Sequence, residues 1–520
     1  MKTRGVILFL AAAAGVLAAR PAFCEIQEDE AFAFEQKIDV KAQAREARAL
    51  LAETQLSGGE YGKAIRTYQE ILTEEPENLE AKNKLAILCA YTRRYDESLR
   101  LYDEILEKKE EPGIRLQKAR ILSWARRYEA SEAEYKKILG ESPDKKVERE
   151  LEAKQFYWRR QGIRAMGAYE ALVKEDPENF EARFDLGELY AGHSMWPEAK
   201  SEYEKILKTL PRHVQAQEGL EKAKLVSERP AWTSGAYFLE ARSRSRQSDV
   251  HRGVFFNALR VPVDDQLTLG VRDEVGRRFF SDFRRITENE NRIWFSYADA
   301  PRYRLDAFFA AVTANRDVPS RDLFGVSLEK RLSDAATVLF SYGHNRLDNA
   351  GGVIRKGLTG DDFKVRLEGR AGQRLEWGVD YLFSKISDDN EKQSPGWDAT
   401  YFFSFEPSRV SLTYRSASLG FDDRVPDYFS PSGLWTHSLA LAWRQYWNRE
   451  ELHFGAKDLY TEIRYEGSLD SQDIVGHHLM AEIHWELDRD FYWSLRGTLT
   501  RASADVYHDK SVELLMDKIF

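Results

Sequence analysis

The residues best suited to hold a metal ion stand in the segment HHLMAEIHWE, residues 477–486. Imidazole and carboxylate groups are usual zinc ligands. The segment alternates in the manner of a strand, which places His478, His484 and Glu486 on one face. His478 and His484 are six residues apart, which is about 20 Å along a strand. One ion cannot bridge that distance, so we expect scattered histidines and no metal site.

The rest of the sequence contains no residues with the spacing of a catalytic or cofactor site. A nucleophile, a histidine and an acid do not occur in a recognisable trio. The segment GGVIRKGLTG, residues 351–360, lacks the spacing of a phosphate-binding loop. We therefore expect no enzyme activity and no cofactor. A barrel enzyme that modifies lipids or glycans is the weaker alternative.

Charged residues alternate with apolar ones through the second half of the chain. In RLEWGVDYLF, residues 374–383, one face is apolar and aromatic while the other carries Arg374, Glu376 and Asp380. Segments of this kind, about 10 to 16 residues long, are typical of a transmembrane β-barrel with lipid outside and water inside. A soluble sandwich, the alternative, has shorter strands. The residues predicted to face the lumen include Lys364, Arg366, Glu368, Arg370, Asp380, Arg415, Arg444, Glu482, Glu486 and Arg496.

Aromatic residues such as Trp294, Tyr414 and Tyr492 are interleaved with these charges. Aromatic rings have an apolar face that can stack on a sugar ring, and charged groups hydrogen-bond sugar hydroxyls. The sequence thus leaves two interpretations open. Either the lumen binds a polysaccharide, or the mixed charge only solvates a wide channel.

Sixteen such segments are predicted between residues 233 and 520. Connections after even-numbered segments are short, whereas three after odd-numbered segments are long, namely 347–359, 387–396 and 421–432. Short periplasmic turns and longer outer loops characterise outer-membrane barrels, and sixteen strands leave an aqueous channel. This topology puts both ends of the barrel in the periplasm. The last segment ends on Phe520, and an aromatic last residue is usual in barrels that the barrel-assembly machinery inserts.

The first half of the chain is repetitive. Tyr68, Tyr102, Tyr135, Tyr169 and Tyr203 recur at intervals of 34, 33, 34 and 34 residues. This pattern resembles the tetratricopeptide repeat, whose helix pairs need stacked neighbours to bury their apolar surface. The fourth repeat departs from the pattern, because residue 162 is glycine where the others carry an aromatic residue. The repeats predict a superhelix with an exposed concave face. The superhelix is either a spacer or, as we favour, a docking surface for periplasmic partners.

Residues 1–24 have Lys2 and Arg4 before an apolar run and are interpreted as a secretory signal peptide. Lipidation of Cys24 is the alternative. The predicted domains are therefore the signal peptide at 1–24, periplasmic repeats with a closing helix at 25–228, and an outer-membrane barrel at 229–520. The net charge of -9 is spread along the chain, so we expect no nucleic-acid partner.

Taken whole, the chain resembles the outer-membrane exporters of bacterial exopolysaccharides of the cellulose and poly-N-acetylglucosamine type. The repeat phrase ARILSWARRYEASEAEYKKIL and the barrel phrases DYFSP and LWTHSLALAWR carry the resemblance. It implies a porin that exports a biofilm polysaccharide, whose repeats dock partners or guide the polymer. The implied partners are outer-membrane lipid, the polysaccharide and periplasmic or synthase-complex proteins. A non-conducting barrel that anchors an interaction scaffold is the alternative.

The DYFSP phrase falls in the predicted outer loop 421–432. Pro426 and Pro431 donate no hydrogen bonds to a strand ladder, so they favour a rigid, extended loop. We expect Tyr428 and Phe429, with Ser430 and Pro431, to fold over the pore mouth as a gate or a sugar platform. An aromatic belt at the membrane interface is the alternative.

Overall fold

The computed structural model describes residues 40–57, 60–92, 94–243, 249–280, 283–315, 318–347, 351–405, 407–447, 459–488, 490–503 and 507–520. The signal-peptide prediction lies outside these residues. An all-helical array is followed by a closed antiparallel barrel of sixteen strands, so the predicted fold class is confirmed. Among the described helices, none combines the length and the apolar composition needed to cross a membrane.

The array contains eleven described helices, and local sequence signals set several of their starts. Asn78 and Asn179 each accept a hydrogen bond from the backbone three residues later, both at 3.0 Å, which is the usual helix N-cap. The helices are α1 Val40–Ser57, α2 Tyr61–Glu74, α3 Leu79–Tyr91, α4 Tyr95–Lys108, α5 Pro112–Trp124, α6 Tyr128–Glu141, α7 Lys145–Trp158, α8 Gly162–Glu175, α9 Phe180–Gly192, α10 Trp196–Thr209 and α11 Val214–Glu228.

The repeated residues form the core of the array. All five repeat tyrosines are buried, as are the small residues Ala64, Ser98, Ser131 and Ala199. The Oγ atoms of Ser98 and Ser131 donate to carbonyls of the preceding helix at 2.7 and 2.6 Å. Small side chains at these positions let neighbouring helices approach closely, which explains the repeat pattern.

Aromatic rings from both ends of the array meet on its concave face and narrow it. The ring of Tyr91 lies 6.3 Å from that of Tyr61, 6.4 Å from that of Trp124 and 6.2 Å from that of His213. The Tyr61 hydroxyl also donates to the Arg212 carbonyl at 3.5 Å. Because residues 61 and 212 belong to the first and last repeats, the array curls until its ends touch.

The barrel closes where β1 pairs with β16, from Ala231 opposite Ile519 to Ser243 opposite Tyr507. Every strand is hydrogen-bonded to its neighbours in sequence. The strands are β1 Ala231–Ser243, β2 Val250–Pro262, β3 Leu267–Phe280, β4 Phe283–Asp299, β5 Tyr303–Ala314, β6 Arg321–Ser333, β7 Ala336–Arg346, β8 Thr359–Ala371, β9 Leu375–Ile386, β10 Glu391–Ser404, β11 Ser408–Phe421, β12 Leu434–Tyr446, β13 Leu459–Asp470, β14 Val475–Asp488, β15 Phe491–Ala502 and β16 Tyr507–Ile519.

One predicted outer loop, 387–396, is wrong. Strand β10 begins at Glu391, so only residues 387–390 connect β9 to β10. Pro395, within the predicted loop, pairs with Tyr381 of β9. On the other side, pairing with β11 passes from Gln393 to Gly396. The proline therefore sits where the ladder is already interrupted and its missing N–H is not needed.

The helical array docks against one end of the barrel, which we call the repeat end. Asp334, in the turn between β6 and β7, accepts hydrogen bonds from the backbone N–H groups of Ile163 and Arg164 at 2.6 and 3.2 Å. Farther round the rim, the Gln373 amide donates to the Trp158 carbonyl at 2.6 Å. These turns follow even-numbered strands, so they share one side of the barrel with the repeats, as predicted. We call the opposite end the loop end. The connection after β12 is longer than the predicted short turn, because β13 begins only at Leu459.

Candidate functional site

The barrel wall has an apolar outer face and a charged inner face. On β8, Phe363 and Val365 are exposed on the outer face, while Arg366 reaches Asp398 on β10, two strands away. Side chains from strands two apart converge only on the concave surface, so Arg366 faces the lumen. Alternation along the strands then places the following predicted residues in the lumen: Lys364, Glu368, Arg370, Asp380, Arg415, Arg444, Glu482, Glu486, Tyr492 and Arg496.

Three of these inward residues form a cluster of alternating charge with Asp398 of β10, which the sequence did not single out. Arg366 Nη1 lies 3.2 Å from Asp380 Oδ1 and 3.0 Å from Asp398 Oδ1. Arg415 contacts the same two carboxylates at 3.3 and 3.2 Å. Gly378 leaves the room for this, because a Cβ there would lie 2.2 Å from Arg366. Two cations and two anions compensate one another and hold the side chains against the wall.

The wall formed by β12 to β16 has a surplus of acid. Arg444 Nη2 lies 2.5 Å from Glu462 Oε2. Arg496 bridges Glu482 at 2.7 Å and Glu513 at 3.4 Å. Inward carboxylates outnumber inward arginines here: Glu462, Glu466, Glu482, Glu486, Glu513 and Asp517 against Arg444, Arg464 and Arg496.

The facing wall, from β2 to β7, carries a basic pocket of about 280 Å³. Two of its arginines stack on inward aromatic rings, Arg272 on Phe256 at 3.8 Å and Arg292 on Phe308 at 4.3 Å. Stacking of this kind fixes the guanidinium planes. The pocket is lined by Arg252, Arg272, Arg292, Arg346, Glu274, Glu290, Leu323 and Asn345. The two walls therefore present opposite charge surpluses to whatever fills the lumen.

A row of rings lines the lumen near the repeat end. The centroids of Tyr446, Tyr460, His484 and Tyr492, one each from β12 to β15, are separated by 5.3, 4.9 and 5.0 Å in turn. The sequence predicted Tyr492 but missed Tyr446 and Tyr460. Only the pairing register could have found them, because Tyr446 lies directly opposite Tyr460.

Tyr414 does not face the lumen, so its predicted place beside inward charges is wrong. Its ring lies 5.1 Å from Trp397, which is exposed on the outer face. Consecutive residues of a strand point to opposite faces, and Arg415 faces the lumen, so Tyr414 must face outwards. Trp294 does face inwards, since it lies between the exposed Ile293 and Phe295 on β4.

A segment of the β7–β8 loop crosses the mouth at the loop end. We call it the cap: residues 351–358, including the short helix α12 Gly351–Lys356. Val353 packs with Ile386 of β9 and Phe421 of β11, whereas Ile354 packs with Phe280 of β3 and Ile286 of β4. Both cap residues are fully buried. Strands five to eight places apart in a ring of sixteen lie on opposing sides, so the cap spans the opening.

The DYFSP phrase anchors the loops next to the cap. Tyr428 is buried and its hydroxyl accepts a hydrogen bond from the Asn390 amide at 2.9 Å. Burial raises the pKa of Tyr428 to about 12, so the hydroxyl keeps its proton and donates to Asp388 at 3.1 Å. Asp427 forms an ion pair with Lys356 of the cap.

The remaining residues of the phrase have different surroundings. The Ser430 hydroxyl accepts a hydrogen bond from the Val425 backbone at 2.8 Å, and Pro431 is buried beside it. Phe429 is exposed. Tyr428 therefore offers no free ring face to a sugar, whereas Phe429 does.

The histidines of HHLMAEIHWE have separate surroundings. His478 Nδ1 lies 2.8 Å from the Thr500 hydroxyl, His484 belongs to the ring row, and His477 faces outwards against Tyr465. Within the described residues, no three histidine, cysteine or acidic side chains are close enough to hold a metal ion.

A buried charge network crosses the array. Lys154 Nζ lies 2.8 Å from Asp185 and 3.6 Å from Glu181, and Arg120 pairs with Glu150 at 2.7 Å. Burial, with the neighbouring Asp185 carboxylate, raises the pKa of Glu181 to about 7 despite the attraction of Lys154. This network joins helices α5, α7 and α9 through buried charged side chains.

Comparison with known proteins identifies the helical half. Residues 49–113 and 164–211 match the tetratricopeptide repeat family. The array is a tetratricopeptide-repeat array. No curated protein sequence matches the chain.

Solved structures resemble each half separately. A bacterial polysaccharide outer membrane secretin is 12% identical over 56% of this chain and 99% of its own, with a TM-score of 0.47. Pseudomonas aeruginosa OccK11 is 10% identical over 56% of this chain and 96% of its own, with a TM-score of 0.33. A tetratricopeptide repeat protein from Parabacteroides merdae is 17% identical over 38% of this chain and 78% of its own, with a TM-score of 0.28.

Proposed function

We propose that the chain is an outer-membrane porin that exports an exopolysaccharide without catalysing a reaction. The observation that carries the proposal is that the barrel wall has two different faces. Its outer face is apolar, and its inner face carries charged side chains that pair across strands. Such a wall separates lipid from water, and sixteen strands enclose a channel wider than their own side chains fill. Arginine and carboxylate groups on facing walls suit the hydroxyls of a hydrated polymer.

In this proposal the repeat end faces the periplasm and the loop end faces outwards. The array lies beside the channel entrance, held by Asp334 and Gln373. Because its concave face is narrowed by Tyr91 and His213, an extended chain fits it better than a folded domain does. We therefore favour guidance of the polymer, or binding of an extended segment of a synthase-complex protein, over docking of a globular partner.

Planar-bilayer recordings on the full chain test the proposal. We expect ion conductance that neutral or charged oligosaccharides reduce when added on the repeat side. A variant with residues 351–356 replaced by a short Gly-Ser linker should conduct more, because the cap spans the mouth. If neither the native chain nor this variant conducts, export is refuted.

The cap also favours a second candidate function. A barrel closed at the loop end by buried Val353 and Ile354 would anchor the repeats as an interaction scaffold without conducting. Absence of conductance in both proteins, together with capture of a specific periplasmic protein by the native chain, would support this alternative.

A further inference from the structure

A carboxylate stands on the outer face of the barrel in the middle of β3. Asp273 is the seventh residue of the 14-residue strand, and it alternates with Val271 and Val275, which are 51% and 37% exposed. Its neighbours across the ladder are Asn257 of β2 and Asn291 of β4. Ser234 of β1 lies opposite Asn257 and donates to its Oδ1 at 2.6 Å. These four residues form what we call the polar patch.

The position of Asp273 is exceptional among the described strands. The other charged side chains on the outer face lie near strand ends, where a membrane meets water; examples are Glu240, Arg277, Lys330 and Lys510. No hydrogen bond or ion pair joins Asp273 to another described residue. A charge in the apolar belt is unfavourable, and ionisable groups at such positions generally mark a contact with a partner.

The same outer face carries a groove that begins four residues from the polar patch along β1 to β3, toward the loop end. This groove of about 840 Å³ runs over β14–β16 and β1–β3. Small residues, Gly253, Ala481 and Gly497, form part of its lining, with Phe238 and Phe279 at its sides. Small residues on a membrane-facing surface allow another chain to approach closely.

We propose that this face is the contact between two copies of the chain within the membrane. The polar patch carries amide donors on both sides of a carboxylate acceptor. A twofold axis through the patch would therefore set Asp273 of each copy opposite an asparagine of the other, which is the self-complementarity of an isologous interface. Acyl chains offer no donor, and a cationic partner would leave the amides unsatisfied. A second copy of the chain provides donors for the carboxylate and an acceptor for the amides. The proposal does not depend on polymer export.

Cysteine cross-linking in intact membranes tests the contact on the full chain carrying Cys24→Ser and Cys89→Ser. Val275→Cys lies beside Asp273 on the same face, and Leu441→Cys, 51% exposed on β12, is the matched control on the far side of the barrel. We expect oxidation to give a disulfide-linked dimer at least tenfold more abundantly with Val275→Cys than with Leu441→Cys. Adding Asp273→Leu to Val275→Cys should remove the dimer and leave the single-barrel conductance unchanged.

Three outcomes would overturn the proposal. These are equal cross-linking at the two positions, an adduct with a different polypeptide, and a dimer that survives Asp273→Leu. Native mass spectrometry of the unmodified chain provides a second measurement, in which we expect a dimer and in which a monomer alone would count against the contact.

Discussion

One buried side chain, Glu181, gives the array a contribution to stability that depends on pH. Its pKa is raised to about 7 by burial and by Asp185, so the folded array holds its proton more tightly than the unfolded chain does. This contribution to stability is complete below the ordinary carboxyl pKa and is lost as pH rises through about 7. We expect the contribution of Glu181 to fall by on the order of 2 kcal/mol between pH 5 and pH 8.

Thermal unfolding followed by the helical circular dichroism at 222 nm measures this effect. Glu181→Gln stays neutral and leaves Lys154 its 2.8 Å contact with Asp185, so between pH 5 and pH 8 its midpoint should fall less, or rise more, than that of the native chain. Glu178→Gln, at an exposed position nearby, should behave as the native chain does. A native midpoint that changed with pH in the same way as that of Glu181→Gln would contradict the argument.

Tyr428 and Phe429 are neighbours, but only truncation of Tyr428 should change the conductance. The Tyr428→Ala change removes a buried ring and the contacts to Asn390 and Asp388, a loss of about 3–5 kcal/mol for a large core side chain. The cap, tied to this loop by Lys356 and Asp427, should then loosen, and single-channel conductance should rise. Phe429→Ala, at an exposed position, is the control and should leave the conductance unchanged.

The hydroxyl of Tyr428 can be tested separately from its ring. Tyr428→Phe keeps the packing against Phe421 but loses the two polar contacts, so its conductance should lie between those of the native chain and Tyr428→Ala. Equal conductance in Tyr428→Ala and Phe429→Ala would show that this loop does not hold the cap.

At the scale of single elements, helix α8 is completed by the barrel. Its N-cap residue, Gln161, makes no capping hydrogen bond of its own, and Asp334 of the β6–β7 turn accepts from its first-turn amides instead. Gly162 is needed here, since a Cβ would lie 2.3 Å from His193. The glycine that breaks the repeat pattern therefore marks the place where the array meets the barrel.

Asp334→Ala should speed the exchange of the first-turn amide hydrogens of α8 with solvent. Loss of an N-cap costs about 1 kcal/mol, so hydrogen exchange at Ile163 and Arg164 should become about fivefold faster. Asp334→Asn keeps one acceptor and should have a smaller effect. The first-turn amides of α9, which has its own cap in Asn179, are the internal control; equal acceleration there would indicate general destabilisation instead.

Elements governed by local periodicity were predictable, and those governed by long-range contacts were not. Period-2 alternation gave sixteen strands and the inward face of β8, because one face of each strand meets lipid. Strand β10 starts at Glu391 because it pairs there with β9, a long-range contact. Tyr414 was assigned to the lumen wrongly, because its neighbour Arg415 takes the inward position. Closure of the array between Tyr91 and His213 depends on curvature, which no single repeat specifies.

The two halves of the whole molecule are stabilised by different interactions. The array is held by apolar clusters around its repeat tyrosines, whereas the barrel is a ring of paired strands without a free edge. Between them, contacts run through turns at the repeat end, such as those of Asp334 and Gln373, and through Arg260 and Glu376 at the same ends of β2 and β9. A contact made of a few hydrogen bonds and ion pairs along one rim couples the two halves weakly, so they should unfold as separate units.

We therefore expect two transitions on heating the full chain in detergent. The helical signal at 222 nm should disappear first, and the strand signal near 216 nm should persist to higher temperature, because a closed barrel must break many ladder hydrogen bonds together. Asp334→Ala should lower the first midpoint by a few degrees, since about 1 kcal/mol is a small part of the stability of an array this size. It should leave the second midpoint unchanged. If both signals disappeared in one transition, the array and the barrel would be a single cooperative unit, and the docking turns would carry far more of the stability than their few hydrogen bonds indicate.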